Sequence, residues 1–350
     1  MSFAITSISV IIPNYNYDAF LGAAIDSALA LDWEDVEVIV VDDGSTDGSQ
    51  AVIEEYSDRV IAIYQANAGQ ATACEAGFER SRGEIVIFLD SDDLLDPSLG
   101  RELARVWRPG VSKVQFQMKT IDEAGRDLST VFPQFHICPS PIQILQWVLT
   151  TSAYPTPPGS GNAYARKFLT QLFPLDGKSR IADGYFLAAA PFYGDVLTVP
   201  RPLVSYRVHG RNDGALTTLD VNRFGRDVAR GMERFAYAQS IAAQAGFVLS
   251  TAAQDRSLSM LPYRIASFRL APDTHPLPHD RRRVLLKDMF VAAFSPQGLA
   301  LQGRLTLLVW ALAALTMPDV LARQVILWRF APTSRPPVIR NLLTRLHVIR

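Results

Sequence analysis

The stretch Ile85-Val86-Ile87-Phe88-Leu89-Asp90-Ser91-Asp92-Asp93 decides the fold. Its unbroken apolar run reads as a strand buried on both faces, the habit of parallel sheets. Carboxylates at 90, 92 and 93 follow at the strand's carboxyl end, where open α/β sheets hold their ligands. Carboxylates this close repel one another unless a cation or a hydroxyl-rich ligand takes them up. Such oxygen donors suit Mg²⁺ or Mn²⁺, and Mg²⁺ is commonly held by one or two carboxylates plus substrate phosphates. The competing reading is a polar turn that caps the next helix at Asp96-Pro97, since Asp favours both places.

Upstream, the pattern repeats. Ile8 to Ile12 reads as a buried strand stopped at Pro13, followed by a loop through Asn14, Tyr15 and Asn16. Apolar residues at helical spacing run from Phe20 to Leu31. Val36 to Val41 is a second strand, and it ends in Asp42-Asp43-Gly44-Ser45-Thr46-Asp47-Gly48-Ser49. Thr46 or Asp47 is placed to cap a helix through Tyr56. Val60 to Tyr64 and Ile85 to Leu89 are strands on either side of a helix from Ala68 to Ser81. Strands alternating with helices imply a right-handed βαβ sheet, whose polar strand ends converge on one crevice. The first βα turn, Pro13 to Asp18, has no G-x-G-x-x-G, and no G-x-x-x-x-G-K-[ST] occurs. A nucleotide here would need its diphosphate neutralised by a metal, which returns the argument to Asp90, Asp92 and Asp93.

The whole chain sets bounds. At 350 residues, one large domain plus an appendage is expected. A formal net charge of −1 implies no nucleic-acid partner. Cys74 and Cys138 are too few for a disulfide framework or a zinc site, so a reducing cytoplasm fits. The N-terminus lacks the basic region and cleavage site of a signal peptide. The longest apolar stretch, Leu305 to Met317, is short for a spanning helix.

Four segments together resemble family 2 glycosyltransferases of the GT-A fold. They are Val10-Ile11-Ile12-Pro13-Asn14-Tyr15-Asn16, Val40 to Ser49, Asn67-Ala68-Gly69 and Gly83 to Asp93, in the family's order and at similar spacing. The resemblance implies an α/β fold: a Rossmann-like, mostly parallel sheet flanked by helices, with a catalytic domain over 1–215 and a helical C-terminal region over 216–350. It implies an inverting transfer from a UDP- or dTDP-sugar to a hydroxyl acceptor, a glycan or a lipid-linked molecule, in bacterial cell-surface polysaccharide or glycolipid synthesis. Pro13, Asn14 and Tyr15 should line the base and ribose. Asp43 should accept from the uracil or thymine N3–H, a carboxylate being an apt acceptor for an imide; by propensity alone Asp42 and Asp43 are a turn and cap pair. Asn67 and Gly69 belong to the same nucleotide site. Asp90-Ser91-Asp92 matches the family's D-x-D, with Asp90 and Ser91 toward the ribose and Asp92 on Mn²⁺ or Mg²⁺. Asp93 is a second candidate ligand.

Two departures stand out. Where the family often has Ala-Arg-Asn, the chain has Ala73-Cys74-Glu75, and Glu75 either adds negative charge or faces solvent. Where it has Glu-Asp before an aromatic, the chain has Ala182-Asp183. Asp183 matches the family's general base; the alternative is a cap on the helix Gly184 to Phe192. The proline- and glycine-rich Tyr154 to Gly161 should approach the acceptor, followed by an Arg166-Lys167 pair. Tyr206-Arg207-Val208-His209 resembles the family's Y-R-x-H, which places Arg207 on the diphosphate and His209 on the metal, or both in an exposed turn. Gln143 to Trp147 is similar to the Q-x-x-R-W of processive synthases but has Gln146 for the Arg and precedes the candidate base, so that reading is rejected. A binding protein without catalysis and a nucleotidyltransferase are the alternatives; the latter wants a glycine-rich basic loop that Pro13 to Asp18 lacks.

From Leu219 onward the chain reads as helical. Between Leu301 and Arg350, arginines at 304, 323, 329, 335, 340, 345 and 350 face a single acid, Asp319. Arginines among Leu305 to Trp310, Val325 to Trp328 and Leu342-Leu343 fit a helix lying on the inner face of the cytoplasmic membrane. Packing on the catalytic domain or a dimer interface, with Arg at the edge, explains them equally. The expected location is cytoplasmic, free or peripheral on that membrane.

Overall fold

The computed structural model describes residues 7–135, 138–175, 183–210 and 221–331. The chain forms two compact units, one of Met1–Ile142 with Thr156–Val208 and one of Gln143–Pro155 with His209–Arg350. The expected boundary after 215 falls in 211–220, outside the described residues.

The first unit is built on one sheet. Its strands are β1 (Ile8–Asn14), β2 (Val36–Asp42), β3 (Ile61–Tyr64), β4 (Ile85–Phe88), β5 (Leu94–Leu95), β6 (Val111–Ile121), β7 (Asp127–Phe132), β8 (Asn162–Ala165) and β9 (Asp195–Arg207). They lie in the order β3-β2-β1-β4-β8-β6-β9-β5, with β7 also on β6. From β3 to β4 every pairing is parallel, as the alternating pattern requires. Beyond β4 the sheet is mixed: β8 enters antiparallel to β4 and β6, while β6 and β9 run parallel. β1 and β4 are buried at every position, which is why β4 reads as an unbroken apolar run and β1 as one broken only at Ser9 and by the polar Asn14 at its end. β3 alternates half-buried with exposed residues, the mark of an edge.

Helices α1 (Asp18–Leu29), α2 (Ser49–Glu54), α3 (Gln70–Arg80) and α4 (Leu99–Val106) follow the first strands. The main core joins Leu21, Ala24 and Ile25 of α1 to Ile12, Val40, Ile87 and Phe116 of the sheet. In the sequence Val196–Val199 and Leu203–Tyr206 read as two short strands; in the structure they belong to one, β9. Its register on β6 slips from Phe116↔Val199 to Gln117↔Pro202 and Met118↔Val204. Prolines at 200 and 202 have no N–H for the ladder, so pairing skips there and resumes. The short α6 (Arg166–Leu169) follows β8. Helix α7 (Asp183–Tyr193) is pinned by rings: Phe186 stacks on Phe88 of β4 at 5.2 Å between centroids and meets Tyr164 of β8 edge-on at 5.5 Å.

The second unit is helical. It takes most of α5 (Pro141–Thr151), then α8 (Val221–Gln244), α9 (Thr251–Asp255), α10 (Leu261–Leu270), α11 (Arg282–Phe294), α12 (Leu301–Thr316) and α13 (Asp319–Phe330). Phe224, Leu261, Ile265, Leu285, Met289, Leu315 and Ile326 meet in its core. Beside it, buried Arg264 bridges Asp280 at 2.5 Å, Asp255 at 3.1 Å and Asp288 at 3.3 Å. Among the described residues no helix is long and apolar enough to cross a membrane.

Candidate active site

The polar loops at the carboxyl ends of β1, β2 and β4 are laced together. Asn14 is buried; its side-chain amide donates to Asp42 Oδ1 and Ser45 Oγ, both at 3.2 Å. Asn16 takes the left-handed backbone, φ 60°, and its Oδ1 accepts from Thr46 N at 2.7 Å. Asp18 and Asp47 tie the starts of α1 and α2, Asp18 N donating to Asp47 Oδ2 and Gly48 N to Asp18 Oδ2. Pro13 is buried in β1 opposite Val41, and Tyr15 is 45% exposed at the loop's edge. Asp42 is thus a loop organiser, accepting also from Ser45 N and Gln50 Nε2. The turn reading holds for it.

Asp43 differs. It is buried, and it accepts from Gln65 Nε2 at 2.7 Å, Ala68 N at 2.9 Å and Gly69 N at 2.8 Å. Two of these take Oδ1 and one takes Oδ2, so a carboxylate with about four lone-pair sites keeps one on Oδ2. Asp43 therefore holds the Asn67–Gly69 turn and can still accept one N–H. Gly44, at φ 77°, lets this happen: a Cβ there would stand 2.7 Å from Asn67 N. Asn67 is exposed beside it.

The three carboxylates after β4 do different work. The turn to the next helix falls to Asp96, whose Oδ1 accepts from Ser98 N at 2.9 Å. Asp90 accepts from Gln70 Nε2 at 2.9 Å, and its backbone N–H donates to Ser160 Oγ at 3.0 Å. Gly159 lies beneath its carboxylate, where a Cβ would come within 3.2 Å of Asp90 Oδ2. Burial, and then the charges of Asp92 and Asp183, push Asp90 up to about 7; the Ser160 hydroxyl and Gln70 work against the rise. Asp93 is raised well above the carboxylate range by burial and by Asp90 and Asp92. Its Oδ1 accepts from Arg207 N at 3.0 Å, while its Oδ2 is buried without a hydrogen-bond partner. Tyr206 is pushed up to about 12 by burial and by Asp93, Asp92 and Asp90.

An orphaned buried carboxylate oxygen among mutually repelling acids is what a divalent cation would satisfy, so Asp92 and Asp93 fit one. Among the described residues no three His, Cys, Asp or Glu side chains converge as a ready-made cage. That suits an ion that draws part of its shell from ligand phosphates and water. His209 is buried and is the first residue of the second unit.

Asp183 opens α7 and is half-buried. Because Phe186 stacks on Phe88, two residues before Asp90, the same rings fix both carboxylates. Asp183 raises Asp90, and both raise the Cys74 thiol beyond what burial does. Cys74 is buried at the place where the family pattern often has Arg. Glu75 is half-buried rather than solvent-facing, and burial and Glu79 raise it. Ala182 lies outside the described residues.

Arg207 was expected on a diphosphate. Its Nε donates to Asp92 O at 2.9 Å and its Nη1 to Glu123 O at 3.0 Å, and its guanidinium lies 5.1 Å over the Phe20 ring. It acts as a clamp on the Asp92-Asp93 backbone and is not an exposed turn residue. Arg166 is likewise structural, donating to Gly83 O and Ser81 Oγ and lying over Phe78. Ser160 had drawn no notice in the sequence. Its loop is held by Asn162, whose Nδ2 donates to the carbonyls of Pro157, Pro158 and Gly159, and Asn162 is held by buried Lys113 at 2.9 Å. A Ser between two glycines just before a strand was the available signal.

Residues 9–169 match the family model described as Glycosyl transferase family 2. An uncharacterized glycosyltransferase of Nostoc sp. is 40% identical over 220 residues, 59% of this chain and 66% of that relative. Residues 9–169 are a glycosyl transferase family 2 region. Solved structures agree on the fold. S. aureus TarS 1–349 in complex with UDP-GlcNAc has a TM-score of 0.54 at 18% identity, covering 92% of this chain and 91% of that one. A mannosyltransferase from Pyrobaculum calidifontis in complex with GDP-Man and Mn²⁺ has a TM-score of 0.51 at 18% identity, covering 98% and 89%. The family 2 match ends at α6, so Asp183 and Arg207 lie beyond it. The chain spans just under two thirds of the Nostoc relative's length.

Proposed function

We propose that the chain is an inverting, divalent-metal-dependent glycosyltransferase, with its catalytic domain over 1–215, that uses a UDP- or dTDP-sugar. The observation that carries this is that Asp90 and Asp93, held at the end of β4 by Ser160 and the Arg207 backbone, follow a strand whose Phe88 stacks on Phe186 of α7, the helix that Asp183 opens. The acceptor is a glycan or a lipid-linked hydroxyl in bacterial cell-surface polysaccharide or glycolipid synthesis, met in the cytoplasm or at the inner face of its membrane. The UDP-GlcNAc in TarS and the GDP-Man with Mn²⁺ in the mannosyltransferase support a nucleotide-sugar donor and a metal.

Pro13, Asn14 and Tyr15 line the base and ribose, Asp43 offers its remaining lone pair to the imide N–H, and Asp90 and Ser91 meet the ribose. Asp92 and Asp93 hold Mn²⁺ or Mg²⁺, which when bound offsets the charge of the leaving diphosphate. Asp183 takes the proton of the acceptor hydroxyl as its oxygen attacks the anomeric carbon, and the bond to the diphosphate breaks on the opposite face. Arg207 and Ser160 keep the aspartates in place.

Asp183→Asn keeps size and helix-capping ability, so it separates base from cap. Nucleoside diphosphate release from UDP-sugars with Mn²⁺, over a panel of hydroxyl acceptors, should fall about 10²–10⁴-fold with donor binding unchanged. Unaltered turnover would reduce Asp183 to a cap. Donor binding with no turnover in the parent chain would favour a binding protein, the reading that Cys74 in place of a cation supports.

A further inference from the structure

We propose that the outer face of α12, with the start of α13, lies on an anionic lipid surface. Helix α12 buries Ala311, Ala314 and Leu315 in the core of its unit. A helix with one apolar stripe should turn polar residues outward. Here Leu301, Leu305, Val309 and Leu312 are 51%, 39%, 66% and 45% exposed. They recur at spacings of four, four and three, so they form a second stripe along one side of the helix. Val320 and Leu321 continue the exposure at 82% and 53% on α13. Arg304 is the one charged residue of α12. At 16 residues α12 is too short to cross a bilayer but long enough to lie in its interface.

Charge selects the occupant. From Leu301 to Arg350 the acid is Asp319 alone, and it is paired with Arg269 of α10 at 2.9 Å. The stripe thus has no unpaired carboxylate to repel anionic headgroups, and exposed Arg323 to attract them, while Arg304, which donates to Ser295 O, and Arg329, which lies over Trp310, keep the surroundings positive from half-buried positions. The same count argues against the other occupants. A second copy would set a basic face against a basic face, and residues 332–350 carry four arginines and no acid. The proposal gives a surface to the peripheral location named above and is independent of the transfer chemistry. Vesicle binding can fail while donor turnover succeeds, and the reverse.

Flotation of the full chain with vesicles tests it. The chain should float with phosphatidylcholine vesicles containing phosphatidylglycerol at low salt and stay behind with phosphatidylcholine alone. Leu305→Gln with Val309→Gln should weaken binding about tenfold or more, since both side chains leave the apolar phase, with the melting curve unchanged. If that variant fails to fold, Val320→Gln with Leu321→Gln, at more exposed positions, serves in its place. A parent chain that never floats, or binding untouched by either pair, overturns the proposal. So does a parent dimer in sedimentation that the variants convert to monomer without any vesicle binding, for the face then belongs to a second copy.

Discussion

Asp42 and Asp43 are neighbours in sequence with opposite fates. Strand residues alternate faces, so Asp42 turns to its own loop and Asp43 to the Asn67–Gly69 turn. Asp43 has one acceptor position left, and in the proposed donor site that position would discriminate. Uracil presents N3–H to it, whereas cytosine presents an N3 lone pair that a carboxylate repels. Calorimetry with Mn²⁺ should therefore show UDP bound more tightly than CDP, and Asp43→Ala should remove that preference while costing UDP roughly 1–3 kcal/mol, the range for a broken buried hydrogen bond. A preference that survives the substitution would leave Asp43 as the holder of a turn. Arg207, a residue far along the chain, reaches the same loop through its backbone and side chain: its N–H donates to Asp93 Oδ1, and its Nε and Nη1 donate to the carbonyls of Asp92 and Glu123.

Among elements, α10 and α11 carry a buried charge group that has nothing to do with the candidate site. Arg264 faces Asp255, Asp280 and Asp288, so acids outnumber the guanidinium; His275 supports Asp280 at 3.1 Å. Asp280 is lowered: its bonds to His275 and Arg264 overcome its burial. Asp288 is pushed up to about 6 by burial, with Arg264 opposing and Asp255 and Asp280 adding to the rise. Its folded value lies above the unfolded one, so its contribution to stability is complete below about pH 4 and lost as pH climbs through about 6. Between pH 5 and pH 8 that is on the order of 1–2 kcal/mol. Asp288→Asn should flatten this part of the profile, so its melting temperature drops less than the parent's between those two pH values. Parallel curves for the two proteins would mean that Asp288 is ionised throughout.

At the scale of the molecule, the neighbours' bound nucleotides show that this fold accommodates different bases: one structure holds UDP-GlcNAc and the other GDP-Man. The choice of base lies in the loops. A ligand at 100 times its dissociation constant stabilises the folded state by about 2.7 kcal/mol, which amounts to a few degrees in a chain of this size. UDP with Mn²⁺ should raise the melting temperature more than GDP with Mn²⁺, and EDTA should erase the difference from metal-free chain. A larger shift with GDP would move the reading to guanine nucleotides. A shift with UDP that EDTA leaves whole would remove the cation from Asp92 and Asp93.

The sequence by itself determined the parallel half of the sheet, because residues buried on both faces must be apolar at every position, and β1, β2 and β4 are nearly so. It also marked the acidic strand ends, since carboxylates crowded after a buried strand either hold a turn or await a ligand, without saying which does which. It did not show the mixed half. Val196 to Val199 and Leu203 to Tyr206 read as separate strands, and only the pairing with β6 carries β9 past its prolines. Nor could it show which polar groups serve which carboxylate. Ser160 is 70 residues from Asp90, and Arg207 is 114 from Asp93. Contacts over such separations depend on how the chain closes on itself, and no local periodicity records that. The second apolar stripe of α12 is the same case: in the sequence its leucines fit a membrane surface and a packed interface equally, and only the packing of the unit decides which of them face outward.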